Sequence, residues 1–235
     1  MIRRCIACLV IAASAALTAA PLAHASPRAW LELSGGYSTY IMEDLNQEIR
    51  SVSDAISPLE LHEIRAGGEF RSLVALRVSP DWSAGFGYEH LGGSSEAGDA
   101  TGSIEYEVPG NAYFGFAAYQ PPSPGKLALG IALGAGLVAG SGAVTTAIPG
   151  SGSVREAITG SGLFLEVMAT GMLAVNPRGG ICGSIGFRRA RIAETHFDSE
   201  VVQNFYGTNY SLDYTGLSAC LGLRIFIPGH EPAGP

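Results

Sequence analysis

The sequence predicts an all-β protein, an eight-stranded antiparallel up-and-down transmembrane β-barrel with a short helix in its first long loop. Glycine supplies 32 of the 235 residues and charged residues only 15%, whereas soluble domains carry about 7% glycine and about 25% charged residues. Apolar side chains alternate with small or polar ones in eight segments, which is typical of strands with two different faces. Short turns also alternate with long connections, as in membrane barrels.

The first 25 residues have the features of a secretory signal peptide. Arg3 and Arg4 precede the apolar run CIACLVIAASAALTAA, and Ala23 and Ala25 form the small-x-small pattern of a cleavage site. We therefore expect a signal peptide over 1–25, a barrel over 26–227 and a short Pro/Gly-rich tail over 228–235. A retained anchor is the alternative, although the run is a little shorter than the ~20 residues of a membrane span.

The predicted strands follow one another along the mature chain. They span residues 29–40, 70–79, 82–91, 104–118, 127–140, 163–175, 181–188 and 217–227. The segment LALGIALGAGLVAG at 127–140 contains four glycines, and each would cost a helix interior about 1 kcal/mol. A strand with one bulky face and one nearly bare face fits it better. The long connections are 41–67, 92–103, 141–159 and 196–208, and we interpret the glycine-rich 141–159 as a flexible loop.

The bulky apolar faces are predicted to point outward. The interior of an eight-stranded barrel is only just wide enough for side chains to fill, so a Leu-sized face on every strand would not fit inside. On the fourth strand this rule places the following residues outside: Ile104, Tyr106, Val108, Ala112, Phe114 and Phe116. The alternative is a secreted soluble barrel with its apolar face inside.

Aromatic residues cluster near both ends of the predicted strands, as in the two girdles at the membrane–water boundaries. The short-turn end has Trp30, Trp82 and Tyr119. The long-loop end has Tyr37, Tyr40, Tyr88, Tyr106, Tyr210 and Tyr214.

The chain resembles the small outer-membrane β-barrel family of Gram-negative bacteria, which includes OmpA-, OmpX- and OmpW-like eight-stranded barrels. The resemblance covers residues 27–227 and depends on the signal AHA, the eight alternating segments and the closing LSACLGLRIFI. It implies export to the cell outer membrane, contact with outer-membrane lipid and insertion by the barrel-insertion machinery. It also implies periplasmic termini, with the four long loops outside. The tail PGHEPAGP after Ile227 departs from the family, whose members often stop at the terminal aromatic residue.

Charged residues recur on the predicted lumenal face. Unpaired charges in a narrow interior are costly, so we expect an ion-pair network there. Its predicted members are Glu166, Arg188, Arg224, Arg77, Glu89 and Glu32, with Glu105 and Glu107 on the same face. The network either plugs the barrel and fixes the strand register, or forms a gate or polar path for a small solute.

The mature chain keeps two cysteines, Cys182 and Cys220, both on the predicted lumenal face of adjacent strands. A hairpin centred near residue 201 places them almost opposite each other. A cross-strand disulfide is therefore a hypothesis, subject to the narrow Cα spacing that such a bond requires.

The first long loop contains IMEDLNQEIRSVSDAI, in which apolar residues recur at helical spacing. The stripe consists of Met42, Leu45, Ile49, Val52 and Ile56. It predicts a short amphipathic helix, which either caps the barrel mouth or acts as a loop lid over the access path of a hydrophobic ligand.

The sequence gives little support to enzymatic or nucleic-acid functions. The net charge of −7 disfavours nucleic-acid binding. The histidines at 62, 90, 196 and 230 lack metal-ligand spacing, and no Gly-x-Ser-x-Gly motif occurs. We therefore expect no catalytic set, no cofactor, no metal and a monomer.

Three functions remain open. The leading one is a structural or passive barrel with environment-facing loops and a narrow pore. The second is a carrier of small hydrophobic molecules gated by the first loop. The third is a lipid-modifying enzyme at the rim, using His90 or His196 with loop serines.

Overall fold

The alternating segments fold into antiparallel strands in the computed structural model, which describes residues 27–56, 60–100, 102–148, 152–197, 200–204 and 206–228. The predicted signal peptide and most of the predicted tail lie outside the described residues. The elements are β1 Pro27–Thr39, α1 Glu43–Ala55, β2 Ala66–Arg77, β3 Trp82–Leu91, β4 Ser94–Asp99, β5 Gly102–Glu107, β6 Gly110–Tyr119, β7 Leu127–Ile148, β8 Gly152–Asn176, β9 Gly179–Ile192, β10 His196–Phe197, β11 Glu200–Val201, β12 Leu212–Asp213 and β13 Gly216–Pro228.

Eight long strands pair in a closed ring. The antiparallel order β1–β2–β3–β6–β7–β8–β9–β13 returns to β1, which pairs with β13 from Pro27↔Pro228 to Ser38↔Ser218. Ring closure gives each long strand a neighbour on both sides within the ring, so the ring itself has no open edge of backbone N–H and C=O groups. The predicted eight-stranded barrel is confirmed, and so is the short helix in its first long loop.

The outer wall of the barrel carries the bulky apolar side chains. Phe86 is 74% exposed and Ile185 68%. The same band includes Val74, Leu76, Leu129, Ile131, Leu133, Leu137, Leu163, Val167, Leu217 and Leu221. A soluble barrel would hide such residues, whereas a membrane covers them with acyl chains. The predicted outward direction of the apolar faces is therefore correct for most strands.

The fourth predicted strand is the exception, because its two faces are inverted. Phe114 and Phe116 are buried in the lumen, and Tyr113 is 60% exposed on the outer wall. The segment is also divided: β5 and β6 are separated by Val108 and Pro109, where proline offers no backbone N–H for strand pairing. The inversion works because other strands leave room opposite the rings.

Glycine supplies that room around Phe114. A Cβ added to Gly87 would lie 2.3 Å from the Phe114 ring, and one added to Gly134 would lie 3.0 Å from it. Phe114 in turn stacks on Phe164 with ring centroids 4.7 Å apart. The small residues on the inner face of β7 thus leave space in the lumen, and the ring of Phe114 fills it.

This packing makes Gly87 a sensitive position. Gly87→Val is expected to lower the free energy of unfolding by about 1–2 kcal/mol, because the new side chain must displace Phe114. Gly115→Val is the matched control on the neighbouring strand, since a Cβ there points outward and lies 3.9 Å from its nearest contact. The measurement is the temperature at which each variant loses heat-modifiable gel mobility. Equal temperatures for the two variants would contradict the packing described here.

The aromatic residues are divided between the wall and the interior. Trp82 and Tyr119 lie 5.1 Å apart between ring centroids on the outer wall at the short-turn end, and Tyr88 and Tyr113 lie 5.3 Å apart. Five residues predicted for the girdles are instead buried inside the barrel or beneath the loops: Trp30, Tyr40, Tyr106, Tyr210 and Tyr214. Trp30 lies in the lumen beside Glu32 and Arg224, and the four tyrosines lie at the long-loop end.

The long connections are more ordered than predicted. The interpretation of 141–159 as a flexible loop is wrong for its described residues, 141–148 and 152–159, because β7 and β8 stay paired from Gly140↔Gly160 to Ile148↔Gly152. Ser94–Asp99 and Gly102–Glu107 pair as the β4–β5 hairpin, and β5 pairs with the upper part of β7. The 13-residue α1 lies over this end, which we call the mouth. Across the described residues, no helix has both the length and the apolar character to cross a membrane.

Candidate functional site

Five charged side chains meet in the middle of the lumen, and we call them the lumen cluster: Glu69, Arg71, Glu89, Glu166 and Arg188. The period-two alternation of β2, β3, β8 and β9 points all five inward. Arg71 Nη2 lies 2.8 Å from Glu69 Oε1, 3.3 Å from Glu89 Oε2 and 2.5 Å from Glu166 Oε1. Arg188 Nη1 lies 3.3 Å from Glu69 Oε2 and also bonds Glu89.

Neutral groups around the lumen cluster add further hydrogen bonds to it. The Ser38 hydroxyl donates to Glu69, and the Cys220 thiol does so at 3.0 Å. Arg71 Nη1 donates to Ser184 Oγ at 3.1 Å, and Arg188 Nε donates to the Tyr214 carbonyl at 3.2 Å. Both arginines are 0% exposed. The cluster therefore spans the lumen, from β2 and β3 on one side to β8 and β9 on the other.

The lumen cluster contains more acidic groups than basic ones. Three carboxyl groups face two guanidinium groups, and the side chains of all five residues have no exposed surface. A buried charge that lacks a partner costs several kcal/mol. The three buried carboxylates therefore depend on the two arginines for compensating positive charge.

A second ion pair lies nearer the short-turn end of the lumen. Arg224 Nη2 lies 2.7 Å from Glu32 Oε2, and the guanidinium carbon sits 4.1 Å from the centre of the Trp30 ring. Between this pair and the lumen cluster is a cavity of about 20 Å³ that Phe116, Met168 and Ser184 help to line. That volume holds about one water molecule.

The predicted network thus divides into parts. Glu89, Glu166 and Arg188 belong to the lumen cluster, whereas Glu32 and Arg224 form the separate pair. Arg77 joins neither, because it is the last residue of β2 and its side chain reaches solvent at the short-turn end. Glu105 and Glu107 lie on β5 in the hairpin above the wall, where Glu107 pairs with Arg155 at 3.1 Å.

Two members of the lumen cluster were missing from the predicted network. Arg71 lies on the polar face of the predicted second strand, two residues from a buried position, so the alternation could have identified it. Glu69 precedes the predicted start of that strand at residue 70, whereas β2 begins at Ala66. Extending the predicted strand by one residue toward the N-terminus would have included Glu69, on the same face as Arg71.

The two cysteines are free thiols and not a disulfide. Both are buried on the lumenal face, as predicted. The register pairs Cys182 with Gly222 and Cys220 with Ser184, so the two cysteines are displaced by two residues. Such diagonal neighbours are about 7–8 Å apart, which exceeds the usual Cα separation of about 4.4–6.8 Å in a disulfide.

Helix α1 closes the mouth of the barrel with its apolar stripe. Met42, Leu45 and Ile49 are fully buried, and Val52 and Ile56 pack against the same core. Asn46, which is also buried, donates to the Ile64 carbonyl at 3.1 Å and accepts from the Ile64 N–H at 2.7 Å. The predicted lid residues therefore form a packed cap in this structure.

Carboxylates on the polar side of α1 bind the loops above the barrel. Asp44 accepts hydrogen bonds from the Ser211 N–H at 2.9 Å, the Ser211 hydroxyl at 2.6 Å and Asn204 Nδ2 at 2.9 Å. Glu48 accepts from the hydroxyls of Tyr210 at 3.0 Å and Tyr106 at 3.4 Å. Burial, and then the Glu48 carboxylate, raise the pKa of both tyrosines well above the usual value, so both hydroxyls stay protonated donors.

A cleft of about 430 Å³ opens beside α1, and we call it the mouth cleft. It lies between α1, the upper β7–β8 hairpin and two parts of the last long connection, at residues 197–202 and at Tyr210, of which only described residues line it. Its walls are Leu45, Glu48, Gly142, Ala143, Val144, Glu156, Ile158, Phe197, Glu200, Val201, Val202 and Tyr210. This volume is in the range of small-molecule sites.

The histidines considered for a rim enzyme have other surroundings. His90 Nδ1 lies 3.0 Å from Asn111 Oδ1 on the outer side of the wall. His196 pairs with Val201 in the short β10–β11 ladder.

The closed ring of eight strands, the apolar outer band and the polar lumen together define a transmembrane β-barrel of the outer-membrane class. The chain is an outer-membrane β-barrel protein. No family model matches its sequence, and no curated protein does either.

Several solved structures are similar in fold. Neisserial surface protein A is 12% identical with a TM-score of 0.44, and the match covers 85% of this chain and 97% of that one. The outer-membrane protease OmpT from Escherichia coli is 9% identical with a TM-score of 0.47, and the match covers 88% of this chain and 99% of that one. The outer-membrane protein OprG from Pseudomonas aeruginosa is 7% identical with a TM-score of 0.44, and the match covers 88% of this chain and 98% of that one. At these identities and scores, the assignment to the outer-membrane class rests on the strand pairing and the apolar outer band.

Proposed function

We propose that the protein is a closed, non-conducting barrel with a structural role, which holds a folded extracellular cap in the outer membrane. The observation that carries this proposal is the lumen cluster. Arg71 and Arg188 are fully buried and together bond three carboxylates on β2, β3 and β8.

Passage of an ion through this lumen would require the lumen cluster to open. Separating either guanidinium from its carboxylates leaves buried charges without partners, at a cost of several kcal/mol. The Phe114–Phe164 stack and the Arg224–Glu32 pair narrow the lumen further. These contacts support a plugged barrel rather than a narrow pore.

The cap is an extensive folded unit. It combines α1, the β4–β5 hairpin, the upper β7–β8 hairpin and β10–β12. Asp44 and Glu48 bond α1 to the last long connection and to β5, and strand pairing joins β5 to β7 and β8 to β10. A carrier gated by the first loop would have to expose Met42 and Ile49 whenever the lid opened. The burial of that stripe supports a fixed cap, and the proposed role requires no catalysis.

The test is conductance of the purified full-length protein in planar lipid bilayers. We expect no unitary conductance steps, because the lumen cluster spans the lumen and the cavity beside it, about 20 Å³, holds about one water molecule. A general porin reconstituted in the same lipid is the control for insertion and detection. Reproducible steps that scale with the number of inserted barrels would overturn the proposal in favour of a narrow pore.

A further inference from the structure

The mouth cleft has the composition of a site for a small organic molecule. Its floor is apolar and comes from three separate parts of the cap: Leu45 of α1, Val144 and Ile158 of the upper hairpin, and Phe197, Val202 and Tyr210 of the last long connection. Ligand sites are typically clefts of this size with apolar walls and a few polar groups in fixed positions.

The charged groups of the mouth cleft are all acidic. Glu48, Glu156 and Glu200 line it, and its walls contain no lysine or arginine. Glu48 is held in place by Tyr210 and Tyr106, whose hydroxyls are neutral donors. Within the described part of the chain, no ion pair includes any of these three carboxylates. The cleft therefore combines an apolar floor with negative charge that the protein's own cations leave unpaired.

We propose that the mouth cleft binds a small amphiphilic organic cation, with its ammonium group at Glu48 and its alkyl or aryl body along the apolar floor. A carboxylate beside low-dielectric walls attracts a cation more strongly than the same carboxylate in open water. An anionic ligand would face three like charges. A divalent metal ion fits less well, since nowhere in the described ranges do three potential ligand side chains gather closely enough to hold one.

The probe for this proposal is 4-phenylbutylammonium, with 4-phenylbutanol as its neutral counterpart. Binding is measured by equilibrium dialysis against the full-length barrel in lipid nanodiscs, and empty nanodiscs give the lipid partitioning to be subtracted. We expect the ammonium to bind at least about tenfold more tightly than the alcohol, with the difference shrinking at high salt because two of the carboxylates are exposed. Equal affinity for the two probes would overturn the assignment of charge.

Variants locate the binding within the mouth cleft. Glu48→Gln is expected to reduce ammonium binding about tenfold and to leave alcohol binding unchanged, whereas Val144→Trp should abolish both by filling the floor. Glu43→Gln is the matched control, because Glu43 is exposed on the same helix and does not line the cleft. Unchanged ammonium binding in both cleft variants would overturn the proposal.

A further variant covers the case in which Glu48→Gln loosens α1. Glu156→Gln combined with Glu200→Gln alters only exposed side chains and should weaken ammonium binding about threefold at low salt. Unchanged binding in this double variant, together with a loosened helix in Glu48→Gln, would count against the proposal. None of these outcomes depends on whether the lumen conducts.

Discussion

Replacing Arg71 with glutamine is expected to lower the free energy of unfolding by about 3–5 kcal/mol, the usual cost of breaking a buried ion pair from one side. Arg71 bonds three carboxylates, and its removal leaves Arg188 as the only guanidinium facing them in the lumen cluster. The measurement is urea or thermal unfolding in detergent, followed by loss of heat-modifiable migration.

Two variants provide the controls for Arg71→Gln. Arg77→Gln lies on the same strand, but Arg77 is exposed, so it should change stability by less than about 0.5 kcal/mol. Glu166→Gln should cost much less than Arg71→Gln, about 1 kcal/mol, because it leaves two carboxylates for two guanidinium groups. Comparable losses for Arg71→Gln and Glu166→Gln would show that the charge balance of the lumen cluster does not determine its stability.

The barrel itself could be predicted because its evidence is local. Alternation with period two along β7, β8 and β9 specifies which side chains share a face, and the small capacity of an eight-stranded lumen specifies which face points outward. Helix α1 could also be predicted, because the stripe from Met42 to Ile56 follows the period of a helix. These inferences needed no knowledge of which residues meet across the barrel.

The remaining differences depend on contacts between distant strands. The inward direction of Phe114 follows from the space left by Gly87 and Gly134, which belong to other strands. The offset of Cys182 from Cys220 follows from the register of β9 with β13, which the length of an irregular connection does not determine. The mouth cleft similarly arises from three separate segments, so no short motif could have indicated it.

The docking of α1 on the barrel mouth should weaken in an Asp44→Ala variant. Asp44 accepts three hydrogen bonds from Ser211 and Asn204, and bonds to a charged group contribute about 1.5–3 kcal/mol each. Because Asp44 is partly exposed, we expect a net loss of about 2–3 kcal/mol in the docking free energy of α1. Trypsin cleavage after Arg50, in the middle of α1, should then become roughly 30–150-fold faster, since cleavage requires the helix to open. Asp54→Ala changes an exposed carboxylate of the same helix and should leave the rate near wild type.

The docking of α1 should also weaken as the pH falls. Burial opposes the ionisation of Asp44, but the hydrogen bonds from Ser211 and Asn204 outweigh it and lower its pKa below the usual value. The stabilisation is therefore fully present above about pH 4, near the pKa of an unfolded aspartate, and is lost as the pH falls through the lowered pKa. Hydrogen exchange of the α1 amides, corrected for its intrinsic pH dependence, should accelerate over that acidic range in the wild type and not in Asp44→Ala. An equal acceleration in both proteins would assign the acid sensitivity of the cap to a different carboxyl group.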